Sequence, residues 1–189
     1  SSELGCKMGC KFCASTKNGL IRGLSSGEMY GQVLSINNLT GEKINHIVVM
    51  GIGEPFDNYE ELSKFIRLIN NPKGYNLGMR NITISSCGII PYIDRFAHDF
   101  PQANLAISLH APNDEIRKTI MPIANKYMIT DLIDECKKYT LKTHRRVTFE
   151  YALIRGINDS IEDARELSKL LSGILCHVNL IPLNDVDNT

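Results

Sequence analysis

Apolar runs of strand length recur along this chain, and a helical pattern follows each one but the last. The runs are Ile44 to Met50, Asn81 to Ser85, Asn104 to Leu109, Val147 to Leu153 and His177 to Ile181. The first, INHIVVM, is almost continuously hydrophobic and β-branched, the pattern of a parallel strand covered on both faces. Helix signals fill the gaps. Ser25 with Glu28 forms a capping-box pattern ahead of Met29, Val33 and Ile36, and Gly41 closes that turn. Asn58 with Glu61 marks a second start, with Leu62, Phe65, Ile66 and Ile69 on one face. Pro91 suits a first helical turn before Ile93, Phe96 and Ala97. A short helix is expected over 114–120. Thr130 caps a longer one through Leu132, Cys136 and Tyr139, and Ser160 with Asp163 opens one buried through Ala164, Leu167 and Leu171. The unit length, about 30 residues, is that of a β/α repeat in a barrel. With a sixth strand expected just before Cys6, the fold class is α/β: a partial six-stranded parallel (β/α) barrel, its first strand and C-terminal end truncated. A doubly wound open sheet is the alternative.

The 189 residues form one expected domain, 1–189, large enough for its own core. Lys+Arg and Asp+Glu are both 21, so the formal charge is zero, unlike a domain that grips nucleic acid by itself. The local basic run from Lys137 and Lys138 through Lys142, His144, Arg145 and Arg146 reads as a solvated helix end. No apolar run approaches the roughly 18 residues of a membrane span, and the polar start lacks a signal-peptide pattern. Free-looking cysteines point to a reducing cytoplasm and no membrane partner. The polar ends read as a piece of a longer chain.

The chemistry starts at Gly5-Cys6-Lys7-Met8-Gly9-Cys10-Lys11-Phe12-Cys13. Three of the six cysteines fall here at C-x3-C-x2-C, spaced so that three sulfurs converge from one tight loop. A four-iron cluster normally takes four thiolates, so three would leave one iron open. A structural zinc site would want a fourth ligand and paired C-x2-C units. A disulfide would leave one of the three unpaired. The motif, with Phe12 before its last cysteine, resembles the signature of radical S-adenosylmethionine (SAM) enzymes. There the open iron chelates SAM, and one electron cleaves it to a 5′-deoxyadenosyl radical. The resemblance makes Cys6, Cys10 and Cys13 ligands of a [4Fe-4S] cluster and puts Phe12 near the adenine.

Other polar residues gather where the strands end. Gly51-Ile52-Gly53-Glu54-Pro55 follows the first run, Ser85 ends the second, Ser108-Leu109-His110 ends the third, and Asn184 lies beyond the last. Parallel barrels build their sites at these C-terminal ends. Position 56 is Phe56, so the third glycine of a dinucleotide fingerprint is missing. The glycines instead let a backbone edge approach a ligand while Glu54 supplies an acceptor for an α-ammonium group; a tight turn with a solvated Glu is the plain alternative. Ser85 and Ser108 suit ribose or carboxylate oxygens. His110 reads equally as a ligand contact or a satisfied buried histidine, and Asn184 as an adenine contact or a surface residue. Cys87, Cys136 and Cys176 read as structural, His46 and His177 as core or edge residues, and His98 and His144 as solvent-facing.

Five stretches narrow the match: GCKMGCKFCAS, VVMGIGEPFDN, ITISSCGIIP, LAISLHAPNDEIRKTIMPI and VTFEYALIRGINDS. Together, across essentially the whole chain, they resemble the RlmN/Cfr family of radical SAM RNA methyltransferases. The resemblance implies that Gly53, Glu54, Ser85, Ser108, Leu109, His110 and Asn184 contact SAM. It implies methylation of an adenine ring carbon in 23S rRNA, at C2 with tRNA also a substrate, or at C8 in Cfr-type members. It implies an electron donor such as flavodoxin or ferredoxin and a monomer. In the family one SAM methylates a cysteine, a second yields the radical that activates this methyl, and another cysteine resolves the RNA adduct. The resemblance places those two cysteines beyond Thr189 and before Ser1, and an RNA-contacting domain upstream. The 189-residue chain is therefore expected to bind cluster and SAM without completing methylation. Asp185 stands where relatives commonly carry proline, which weakens Asn184. Another radical SAM enzyme and a non-enzymatic zinc-binding module are the alternatives.

Overall fold

The computed structural model describes residues 1–183. Asn184 therefore lies outside the described residues. Among the described residues seven strands and six α-helices follow in the order β1 (Glu3–Gly5), β2 (Leu20–Gly23), α1 (Ser26–Thr40), β3 (Ile47–Val49), α2 (Tyr59–Asn70), β4 (Ile82–Ser86), α3 (Ile90–Asp99), β5 (Asn104–Ser108), α4 (Asp114–Ile120), α5 (Ile129–Thr143), β6 (Val147–Leu153), α6 (Ile161–Leu170) and β7 (Cys176–Pro182). Strands β3 to β7 form one parallel sheet in sequential order. The strand order never reverses, and with the right-handed crossovers that parallel strands require this puts successive helices on one face, so the sheet is the arc of a barrel, not a doubly wound sheet. Among the described residues five strands are parallel. The segment before Cys6 forms β1, which pairs antiparallel with β2 and meets the sheet through Ser2 and Glu3 N–H donation to the Ile52 carbonyl.

The two faces of the sheet differ as the two-residue strand period requires. Ile82, Ile84, Leu105, Ile107, Val147 and Phe149 are nearly inaccessible and pack with Leu62, Phe65, Ile66, Ile93, Phe96, Leu132 and Cys136 from the helices. The opposite face carries Ser85, Ser108 and Glu150, with Asn179 donating to the Glu150 carboxylate at 2.7 Å. A polar face directed away from the helices is where a barrel of this kind admits a ligand.

Several local expectations hold with their mechanism. Ser25 and Glu28 make the full capping box of α1, Gly41 ends that helix at φ 72°, and Ser160 with Asp163 repeats the box at α6. Others are corrected. Asn58 does not cap α2: its amide donates to the carbonyls of Ser2 and Leu24, tying the N-terminal segment to the helix start. Glu61 reaches the Ser26 N–H at 2.8 Å instead. Thr130 sits inside α5, whose first residue, Ile129, donates its N–H to Asp114. Ala164 is exposed, because α6 buries only Leu167 and the following Leu171 against the core. The basic run is neutralised locally, Lys137 by Asp134, Lys138 by Glu135 and Lys142 by Asp94. Among the described residues no helix is long and apolar enough to cross a membrane.

Candidate functional site

The cysteine loop folds over the C-terminal ends of the parallel strands. Gly5 makes its entry possible: φ is +78°, and a Cβ there would lie 1.9 Å from the Gly19 carbonyl oxygen. The Cys6 N–H donates to that same carbonyl at 3.0 Å. Gly9 turns the loop again at φ 71°. Thr16 then pins its far side, with Oγ1 donating to the carbonyls of Cys10 and Cys13. Lys11 donates its N–H to the Ile120 carbonyl at the end of α4, and Lys7 pairs with Asp57 at 2.8 Å.

Cys6, Cys10 and Cys13 line one cavity of about 180 Å³ together with Gly53, Glu54, Ser85, Ser108 and His110. Eight of the ten residues singled out in the sequence are thus gathered around one space. Leu109 is not among them. Its side chain is fully buried in the core, its N–H donates to the Glu150 carbonyl and its own carbonyl accepts from Arg117. The cavity adjoins a second, of about 320 Å³, across Phe12, Cys13 and His110; Ala152, Ile181, Pro182 and Leu183 give that slot an apolar wall.

Glu54 is 3% exposed, which overturns the reading of a solvated turn glutamate. One carboxylate oxygen accepts from the Phe56 N–H at 3.0 Å and the other from the Cys87 N–H at 2.7 Å. Burial raises its pKa, and the two main-chain donors oppose that shift. Each oxygen retains acceptor capacity for a ligand. Gly53, which lines the cavity, is also required by the packing beneath it. At φ +102° a Cβ would sit 2.6 Å from the Cβ of Glu3. Glu3, 1% exposed, fills that space and accepts the Glu54 N–H at 2.7 Å. Burial, with Asp57 nearby, raises Glu3 to about 7.

His110 occupies the left-handed region at φ 56° and is 5% exposed. Its Nδ1 accepts the Ala152 N–H at 2.9 Å, which assigns the ring proton to Nε2. Burial and the Arg117 charge lower its pKa to about 3, so the ring is a neutral donor. Phe12 meets it edge-on with centroids 4.8 Å apart.

Sequence patterns missed three neighbours. Cys87, read as structural, lines the cavity. Glu3 directly precedes the cysteine loop, and its role appears only once Gly53 folds onto it. Arg117 lies in DEIRKTI, where an arginine reads as a solvated helix residue, yet it is 0% exposed. The remaining histidines are all exposed: His98 and His144 as expected, and His46 and His177 at the margins of the sheet and not in the core.

The donor chemistry fits an iron–sulfur group. Three soft sulfur donors face one cavity, and burial with the neighbouring thiols pushes Cys10 up to about 12. Such thiols give up their protons to a metal rather than to water. Among the described residues no three Cys, His, Asp or Glu side chains are drawn together tightly enough to hold a single metal ion.

The chain matches the model of the radical SAM superfamily over residues 4–168 and belongs to that superfamily. It is similar to proteins named "Probable dual-specificity RNA methyltransferase RlmN". The protein of that name from Alkaliphilus oremlandii is 56% identical over 187 residues, 99% of this chain and 54% of that protein. The one from Lachnospira eligens is 54% identical over 186 residues, 98% of this chain and 53% of that protein. The crystal structure of a radical SAM methyltransferase from Sphaerobacter thermophilus superposes with TM-score 0.93 at 49% identity, over 97% of this chain and 55% of that one. The chain thus spans about half the length of the curated relatives it matches.

Proposed function

We propose that this chain is the radical-generating core of an RNA methyltransferase that modifies C2 of an adenine in 23S rRNA and in tRNA. One observation carries the reading: Cys6, Cys10 and Cys13 share a cavity with Glu54, Ser85, Ser108 and His110. The three cysteines would hold a [4Fe-4S] cluster there. When bound, the cluster supplies the electron that splits SAM. The protein's own part is positioning. Glu54 accepts from the SAM ammonium group while its main-chain partners fix the carboxylate. Ser85 and Ser108 present hydroxyls to carboxylate and ribose oxygens. The neutral His110 offers its Nε2–H as a donor. The apolar slot beside Phe12 suits a flat purine ring. Met8, Met50 and Met121 line the first cavity and keep water from a reactive carbon radical.

The methyl-carrying and resolving cysteines belong to parts of the full-length enzyme outside this chain, as does most RNA contact. An electron donor of the flavodoxin or ferredoxin kind completes the cycle, and the core works as a monomer in a reducing cytoplasm.

Anaerobic reconstitution tests the core. About four irons per chain are expected, with SAM cleavage under a chemical reductant. Cys10→Ala should abolish iron uptake, while Cys136→Ala, buried in the helix layer, should only loosen packing. Stoichiometric zinc in place of iron would sink the reading. The atom methylated in adenine by the full-length enzyme tests the regiochemistry: C8 would overturn C2.

A further inference from the structure

Arg117 is the largest fully buried side chain among the described residues, and it has no carboxylate partner there. Its Nε donates to the Leu109 carbonyl at 3.1 Å, and Nη2 donates to the carbonyls of Cys87 at 2.8 Å and Ser108 at 3.3 Å. Nη1 is buried with no hydrogen-bond partner. A buried cation held by neutral carbonyls alone is costly unless an anion comes to it. The acid that acts on it most among the carboxylates is Asp114, on its own helix, whose Oδ1 is engaged by the Ile129 N–H. The sulfurs close enough to couple to its charge, once ionised, are those of Cys87, Cys10 and Cys136. Cys10 and Cys87 pack in one cluster with Ile120 and Met121, which end the helix that carries Arg117 and cap it. The guanidinium therefore stands directly behind the wall of the cysteine-loop cavity.

We propose that Arg117 is the built-in counter-charge of the cysteine-loop site, stabilising the negative charge that thiolate ligation and one-electron reduction bring to the Cys10 side of the cavity. This rests on the cluster reading given above. Reduction adds one electron from an external low-potential donor and makes or breaks no bond. A nearby fixed cation favours the more negative, reduced form, and net charge around a cluster is one determinant of its potential. The three carbonyl contacts also join the Cys87 turn to the end of β5, so the charge is fixed relative to the loop.

The test uses the 189-residue chain reconstituted anaerobically with ferrous iron and sulfide, and the midpoint potential read by spectroscopic redox titration. Arg117→Gln should move the midpoint to more negative values at unchanged iron content. Arg117→Lys, which keeps the charge but loses the fork, should stay near wild type. An unmoved Arg117→Gln midpoint, or an Arg117→Lys shift as large, would overturn the proposal. Arg117→Met supplies a second measurement. Its loss in thermal midpoint should be greater in the reconstituted protein than in the iron-free one; equal losses point to a purely structural clamp and refute the idea. Neutral variants that fail to fold without iron count against it too. A wild-type chain that takes up no iron overturns the cluster reading and this inference with it, whereas a loaded wild type with unmoved variants overturns this inference alone.

Discussion

His110 combines three properties in one residue: a left-handed backbone at φ 56°, an acceptor bond at Nδ1 from Ala152, and near-complete burial. The backbone is one that asparagine tolerates better than most residues. Its lowered pKa makes a signed prediction. The unfolded chain takes up a proton as pH falls below about 6.5, whereas the folded protein resists protonation down to about 3. The contribution is thus complete above the unfolded value and is lost progressively as pH falls from there toward the folded value. His110→Asn keeps the conformation and places Oδ1 where Nδ1 accepts, but it cannot titrate. Urea unfolding across this window should show stability falling less steeply with acidification in His110→Asn than in wild type; parallel curves would refute the assignment. At this scale the cysteine triplet of the cavity was legible, because eight consecutive residues carry it. Glu3 and Arg117 were not, because their roles depend on partners far away in sequence: Gly53 and Glu54 for one, the Cys87 turn for the other.

At the scale of elements, the loop after β6 is tied to the strand ends chiefly through one side-chain amide. Asn158, 1% exposed, accepts the Ile154 N–H and donates to the carbonyls of His110 and Ala152, each at 2.7 Å. Its own carbonyl accepts the Tyr151 hydroxyl. One amide thereby joins the ends of β5 and β6 under the cavity. Asn158→Ala strands buried donors and acceptors, and a loss of about 2–4 kcal/mol is expected in denaturant unfolding. A change within ~0.5 kcal/mol would show that the loop is held by something else. Helix starts with a local mechanism, Ser25–Glu28 and Ser160–Asp163, read correctly from sequence because both partners lie within one turn. Asn58–Glu61 has the same spacing and misleads, because tertiary partners capture both side chains.

For the whole molecule, the sheet has a protected centre and open margins. β4, β5 and β6 each have neighbours on both sides, whereas β3 and β7 have one and β1–β2 form a separate ribbon with β2 largely exposed. Hydrogen exchange should therefore be slowest for β4 to β6 and fastest for β2. Protection of β2 equal to that of β5 would contradict this ranking. The near-continuous apolar run at β3 implied cover on both faces, yet Val48 and Met50 are about half exposed while Val49 is buried. Hydrophobicity alone cannot tell an edge strand from a central one, since the difference lies in which strand arrives beside it. What the sequence by itself determined is what acts over short range: the cysteine loop, the strand–helix alternation, the capping boxes and the parallel α/β class. Tertiary structure alone decided the remainder. It gave Gly53 its reason in the Glu3 side chain, placed β1 outside the parallel sheet, and buried the Arg117 cation behind the sulfurs. These outcomes depend on distant segments meeting and on the loss of water between them, and no local pattern of residues encodes that.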